Sequence, residues 1–468
     1  MQQLQADYLV VGAGAMGMAF VDEIISDTQA SVIMVDRHHQ AGGHWNDAYP
    51  FVRLHQPSAF YGVNSKHLGS DSIDQTGWNK GLFELATNSE VCAYFDQVMQ
   101  QRFLASGRVQ YFPMCEFDWS AEAPSFKSLV SDEVFTVQAG KVVDATYMNV
   151  TVPSMRPAPF GLAEGVACVP PNGLPKVTGQ YSRYMVIGAG KTGMDACLFL
   201  LKNGVSPEHI SWVMPRDSWI FDRAFIQPGK QFADAIAQNF AAQTRVSAEA
   251  ESLQDLLEKV AATGFIMRFD EDVWPTMWRC ATVTQAEIEQ LRRIKDIIRK
   301  GRVSEIGVDE IILEQGSVPT SATTLHIDCS ADGLERRPAV PVFADDRITL
   351  QSVRTCQQVF SAAFIGHIEA LYDDQAHKNE LCTPVPHPDD NRDFVRCNLA
   401  NNANAARWAA EPGLAQWLLH ARLDGFSSPE TQPRADDPAV QAQQAEFAEV
   451  VKLAAANMQR ILAETGDD

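Results

Sequence analysis

A short apolar run, Tyr8-Leu-Val-Val, leads into Gly12-Ala-Gly14-Ala15-Met16-Gly17, and a second apolar run over 31–36 closes on Asp36. Those residue types at that spacing suit the capture of a dinucleotide. Gly12 permits a tight turn, Gly14 lets backbone approach a pyrophosphate, and Gly17 lets a helix pack closely on the strand. Ala15 and Met16 open that helix, whose N-terminus attracts phosphate, while Asp36 is placed to accept a ribose hydroxyl. The pattern returns as Tyr184-Met-Val-Ile-Gly188-Ala-Gly190-Lys191-Thr192-Gly193, so one module occurs twice. In the second copy the strand over 209–214 ends in Pro215-Arg216, with no acid on the strand itself. A guanidinium there suits a 2′-phosphate, which favours NADPH over NADH.

Between the two motifs, Asp36-Arg37 is followed by Gly42-Gly43-His44-Trp45 and then by Arg53-Leu-His55-Gln56. Paired glycines beside an aromatic pair let backbone lie against a flat ligand, so this stretch is expected to border the first dinucleotide. His44, His55 and His67 are its candidates for managing protons near neutral pH.

The elements that must position these residues fill a chain of 468 residues, longer than one core usually holds, so two or three domains are expected. With 59 acidic against 38 basic side chains the net charge is -21, which argues against a nucleic-acid surface or an anionic membrane as partner. No basic leader with a following apolar run is visible, and no window reaches ~18 unbroken apolar residues, so a cytoplasmic protein is expected. The nine cysteines are scattered and never form C-x-x-C. That spacing argues against a disulfide framework, a zinc ribbon and a dithiol redox centre, and no metal site is expected.

Runs at 108–112, 135–138 and 141–144 read as strands of a small antiparallel layer returning to the main sheet. Prolines crowd the stretch from Pro153 to Pro175, as in a linker between domains. Residues 231–300 read as largely helical, with Thr284-Gln-Ala-Glu287 as a capping box and the aromatics around Trp274 and Trp278 as core. A hairpin and return strand over 302–329 lead to Ser330-Ala-Asp-Gly333, which takes the place that Ala145-Thr146 holds in the first module. Runs at 348–351 and 359–370 then read as the closing strand and helix of the first module. The fold class is therefore α/β, with two Rossmann-like domains, the second inserted in the first, a helical insertion and a helical C-terminus. The boundaries are 1–157, 158–335 with its insertion at 231–300, 336–426, and 427–468 as a polar linker and terminal helix.

The two glycine modules, Gly42-Gly43-His44-Trp45 after the first and Arg216 after the second resemble the flavin-containing monooxygenases, over most of residues 1–425. The resemblance implies FAD on Gly12, Gly14, Gly17, Asp36, Gly43 and Trp45, and NADPH on Gly188, Gly190, Gly193 and Arg216. It implies that the nicotinamide reduces the flavin and that a flavin C4a-hydroperoxide then oxygenates a small organic substrate, with oxygen as the second reactant. Gly62-Val-Asn64-Ser65-Lys66 resembles the segment whose asparagine lies beside flavin and peroxide in that family, which makes Asn64 the candidate for the oxygen-side, catalytic role. The chain departs from the family where a histidine should follow Phe160-Gly161, since 158–180 holds none. A flavin-dependent dehydrogenase or reductase, and a dinucleotide-binding protein without catalysis, stay open as alternatives. Oligomeric state and substrate are not specified by any motif.

Overall fold

The structure is a computed structural model that describes residues 2–425 and 438–466. The first strand, Gln2–Val11, runs parallel to Val32–Val35 on one side and to Val134–Asp144 on the other. Leu9 and Val10 are inaccessible on opposite faces of that strand, as the unbroken apolar run of a central parallel strand requires. Helix Ala15–Asp27 covers one face and packs against helix Gln358–Leu371. The two helices approach closely because Gly366 lies against Phe20 and Glu23, where a Cβ would come within 2.9 Å of both.

The expected antiparallel layer is only partly present. Val109–Phe112 joins the main sheet as a parallel edge strand beside Val32–Val35. Residues 134–144 form one continuous strand, because Gly140 lies flat against the Asp7 carbonyl and lets the ladder pass. Only Ser125–Ser128 and Cys115–Phe117 extend the sheet in antiparallel fashion.

Arg347–Thr349 returns to pair parallel with Val134–Asp144, in the register Arg347 to Val142. Everything between Asp144 and Arg347 is thus inserted between two adjacent strands of the first sheet. The inserted module has its own parallel sheet, in the order Asp296–Ile298, Ile210–Val213, Arg183–Ile187, Thr324–Asp328, Cys168–Val169. Its core gathers around Trp212, Leu200 and Leu325.

Residues 231–300 are less helical than expected. Helices Lys230–Glu249, Leu253–Ala262 and Gln285–Leu291 occur, the last with the capping box at Thr284 and Glu287. Between them, Ile266–Met267 and Met277–Val283 flank Ser218–Asp222 in a small sheet. Aromatic and β-branched side chains in 277–283 satisfy a half-buried strand better than a helix. Trp219, Trp278 and Phe394 form a third core, closed by Met458 and Ile461 of the terminal helix Pro438–Glu464. The expected linker stretch 427–437 lies outside the described residues. Among the described residues no helix is long and apolar enough to cross a membrane.

Candidate functional site

The two glycine turns open on one cleft of about 1980 Å³, walled by both modules. Single-ligand pockets commonly span roughly 300–1,000 Å³, so two dinucleotides and a small substrate fit this volume. Gly12 and Gly188 both lie in the left-handed region, at φ +104° and +118°, as the turn demands. Gly12 N–H donates to the Val35 carbonyl and Gly188 N–H to the Val213 carbonyl, so the two turns repeat one bond. Helices Ala15–Asp27 and Lys191–Lys202 each begin at a glycine with φ -75° and ψ -178°, and neither has a side-chain cap. Their N-terminal N–H groups are therefore left for a ligand, and two uncapped, positively polarised helix ends face the same space.

Gly14 packs against Gly43, where a Cβ on Gly43 would come within 2.9 Å of the Gly14 Cα. The paired glycines are thus needed for close backbone approach at the first turn. Gly17 and Gly193 do not line the cleft; each packs its helix onto Gly12 or Gly188 behind the turn. Ala15, Met16, Arg37, Trp45, Arg53, Gln56, Gly190, Lys191 and Thr192 line the cleft.

Asp36 lies on the cleft wall and also fixes the first turn, accepting from Ala13 N–H at 2.6 Å and His38 N–H at 2.8 Å. His38 bridges Asp36 and Asp47, at 2.9 and 2.7 Å, and the Asp36 hydrogen bond raises its pKa most. The third strand of each module ends in the same device. Asp144 accepts from the N–H and hydroxyl of Thr146, and Asp328 from the N–H and hydroxyl of Ser330. That repeat confirms the structural duplication beyond its glycines.

Arg216 lines the cleft but is already paired, its guanidinium 3.0 Å from Asp389. Asp389 also takes Arg279 at 2.7 Å and Arg336 at 3.2 Å, so three cations share one carboxylate. Burial opposes ionisation of Asp389, yet hydrogen bonds from Arg216 and Arg279 hold it below the usual carboxylate range. Asp332 and Asp393 lie 3.4 and 3.7 Å from Arg279 and Arg336, so the cluster sets three guanidiniums against three carboxylates at the cleft wall. Asp389 and Arg336 lie outside both motifs, and no local spacing could have tied them to Arg216. Met277 and Arg279 also line the cleft, although the nearby tryptophans are core as expected.

The three histidines separate. His44 and His55 line the cleft, and burial depresses both, His44 to about 4 and His55 well below its ordinary value with Lys191 and Arg223 adding to the effect. His67 is an exposed side chain beside Asp71 and does not line the cleft. A histidine outside the motifs, His387, lines the cleft with its Nδ1 buried and without a hydrogen-bond partner.

Asn64 is not among the residues that line the cleft. Its Nδ2 donates to Glu23 at 2.5 Å and its Oδ1 accepts from Leu423 N–H at 3.0 Å. The turn that carries it is held by Arg422, which reaches the carbonyls of Ala59, Tyr61 and Val63. Two further groupings escaped the sequence spacing. Cys280 and Cys356 form a disulfide, against the expectation drawn from scattered cysteines. Glu23, Asp27 and His367 bring ligand-type atoms within 4.8 Å of one another, outside the cleft lining.

The modules are locked together around the cleft. Tyr49 donates to Asp195 at 2.7 Å, Phe51 stacks on Phe199 at 4.3 Å, and buried Arg223 reaches the His55 carbonyl at 2.8 Å and Glu287 at 3.0 Å.

No family model matches the chain. It is 53% identical over 421 residues to Uncharacterized protein Rv2000 of Mycobacterium tuberculosis (strain ATCC 25618 / H37Rv), covering 90% of this chain and 78% of that protein. The same figures hold for Uncharacterized protein Mb2023 of Mycobacterium bovis. Among solved structures it is similar to ε-caprolactone-bound cyclohexanone monooxygenase in the Loose conformation, at TM-score 0.50 and 13% identity, over 87% of this chain and 97% of that one. Cyclohexanone monooxygenase from Rhodococcus sp. Phi1 bound to NADP+ gives TM-score 0.47 at 14% identity, over 97% and 98% of the two chains. The likeness is one of fold: an α/β architecture of two Rossmann-like domains, one inserted in the other.

Proposed function

We propose, for a chain that belongs to the family of Uncharacterized protein Rv2000 of Mycobacterium tuberculosis, an FAD-dependent oxidoreductase that draws its electrons from NADPH. One observation carries the reading: two uncapped helix N-termini, each behind a left-handed glycine turn, face a single cleft large enough for both cofactors. The residues fit the groups. Gly14 and Gly43 leave no side chain between backbone and ligand, and the orphaned His387 Nδ1 offers the cleft an unsatisfied polar atom.

When bound, the nicotinamide supplies hydride and the flavin passes two electrons to oxygen or to an organic acceptor. The chain's own residues position the reactants. Gly12, Gly14 and the helix from Ala15 hold the first pyrophosphate, and Asp36 accepts a ribose hydroxyl while keeping its turn in place. Gly188, Gly190 and the helix from Lys191 do the same for the second. Arg216, with Arg279 and Arg336 behind it, selects a 2′-phosphate. His44 and His55 are neutral at pH 7, so each orients a partner by a hydrogen bond without placing a charge in the cleft.

The favoured reaction is monooxygenation of a small organic substrate, an amine, sulfide or ketone, in the cleft volume beyond the cofactors. The absence of a histidine from 158–180, after Phe160-Gly161, favours a second reading, an NADPH-dependent reductase that makes no oxygenated product. Rapid mixing separates the two. NADPH is added without oxygen while flavin absorbance is followed, and the reduced protein is then mixed with oxygenated buffer and candidate substrates. Bleaching followed by substrate-dependent oxygen uptake, one product oxygen per NADPH, supports monooxygenation. Bleaching with reoxidation that no substrate alters supports the reductase, and absence of flavin or of bleaching rejects both.

Arg216→Ala tests the second dinucleotide. Losing one charge-assisted phosphate contact is expected to raise the NADPH KM about tenfold, or ~1.4 kcal/mol, with the NADH KM nearly unchanged. Equal effects on both dinucleotides in steady-state kinetics would remove Arg216 from 2′-phosphate selection.

A further inference from the structure

Cys280 and Cys356 are 76 positions apart in sequence, yet they are bonded through Sγ, with Cα atoms 6.5 Å apart. Cys280 belongs to strand Met277–Val283 of the inserted module. Cys356 stands just ahead of helix Gln358–Leu371 of the first module. The bond therefore crosses from one module to the other, and both residues line the cleft that holds the two glycine turns.

Both residues are partly exposed, as are Cys92 and Cys168, whereas Cys115, Cys197, Cys329, Cys382 and Cys397 are buried. Two features set this pair apart from the other cysteines. Both have left-handed backbone, at φ +54° and +58°. A non-glycine residue held there is strained, and such positions cluster at functional sites. Finally, the helix that follows Cys356 has no side-chain cap at its N-terminus, and Gln357 and Gln358 line the cleft with it. Free N–H groups beside a thiol favour its thiolate, the reactive form in exchange.

We propose that Cys280 and Cys356 are a redox-active pair, cycled between disulfide and dithiol by the electrons that enter this cleft from NADPH. The proposal rests on the reading that the cleft binds flavin and NADPH. In the net step the S–S bond breaks and takes up two electrons and two protons. NADPH gives up a hydride and solvent a proton, leaving NADP+ and two thiols, with the flavin carrying the electrons and ending unchanged. Reduction also cuts a covalent tie between the two modules, so the redox state of the pair sets how freely the cleft walls separate.

The test is an anaerobic NADPH titration of the full-length protein purified with its flavin. Flavin absorbance is recorded at each point, and samples are alkylated with iodoacetamide and mapped by mass spectrometry. Consumption of about two equivalents of NADPH per flavin is expected, one for each two-electron acceptor, with Cys280 and Cys356 becoming alkylated together. Cys280→Ser and Cys356→Ser are each expected to take up about one equivalent. Flavin bleaching at about one equivalent in the unaltered protein, with the two cysteines still protected, overturns the proposal and leaves the cofactor reading intact. Alkylation of both cysteines in air-equilibrated protein before any reductant overturns it as well. A preparation whose flavin is absent, or is not bleached by NADPH, overturns the cofactor reading and the proposal with it.

Discussion

Gly17→Ala is expected to abolish flavin retention and to destabilise the protein by about 3 kcal/mol, whereas Gly14→Ala loses flavin with almost no loss of stability. The two glycines stand three positions apart in one motif and do different work. A Cβ on Gly17 would overlap the carbonyl oxygen of Gly12 and lie 3.2 Å from the Ala145 side chain. Neither obstacle is the movable end of a long side chain, so the helix must shift away from its strand. Gly14 has φ -75°, which alanine adopts without strain, and its nearest obstacle is the Gly43 Cα at an ordinary 3.5 Å. An added methyl there is tolerated by the fold and intrudes only on the face meant for a pyrophosphate. Thermal unfolding and the flavin-to-protein absorbance ratio, measured on both variants, separate the roles. Full flavin occupancy in Gly14→Ala would mean that the first turn does not hold a dinucleotide. The second module offers a parallel, since a Cβ on Gly193 overlaps the Gly188 carbonyl while Gly190 has open space.

Those turns were legible because a left-handed turn and a close helix crossing are local requirements that glycine alone meets cheaply. The insertion of one module in the other was legible for a related reason: the second copy ends in Asp328-Cys-Ser330 where the first ends in Asp144-Ala-Thr146, and both make the same hydrogen bonds. Long-range partners were not legible. Val109–Phe112 reads equally well as a parallel or an antiparallel strand, and its place beside Val32–Val35 depends on what the intervening helix covers. Asn64 sits in a segment with the expected residue types, yet the neighbour that captures its amide, Glu23, belongs to the back of the first helix. Spacing rules for cysteine detect pairs a few residues apart and are blind to 280 and 356, which only the docking of two modules brings together. The cluster on Asp389 has the same origin, with Arg216, Arg279 and Arg336 drawn from three separate segments.

Glu23→Gln is expected to stabilise the protein, by an amount that grows with pH and reaches about 3 kcal/mol near neutrality. Glu23 is only 4% exposed in the middle of the first helix. Burial, with the nearby Asp22 and Asp27 carboxylates adding to it against the hydrogen bond from Asn64, raises its pKa to about 8. The folded protein thus keeps a proton that the unfolded chain releases above about 4.5. Where the native state binds more protons than the unfolded state, stability falls as pH rises, by ~1.4 kcal/mol per unit for one group. The loss begins near pH 4.5, continues to about pH 8, and levels off once both states are ionised. Glutamine keeps the shape of the protonated acid and an oxygen for the Asn64 amide to bond, and it has no proton to lose. Denaturant midpoints of parent and variant should therefore nearly coincide at pH 5 and diverge by pH 8, with the variant higher. A gap that stays constant or reverses would mean that Glu23 is charged in the fold and compensated by a partner. Among the described residues, the grouping of Glu23 with Asp27 and His367 is an arrangement that could do this, because a cation held there would drive the proton off and make the glutamine variant the less stable protein.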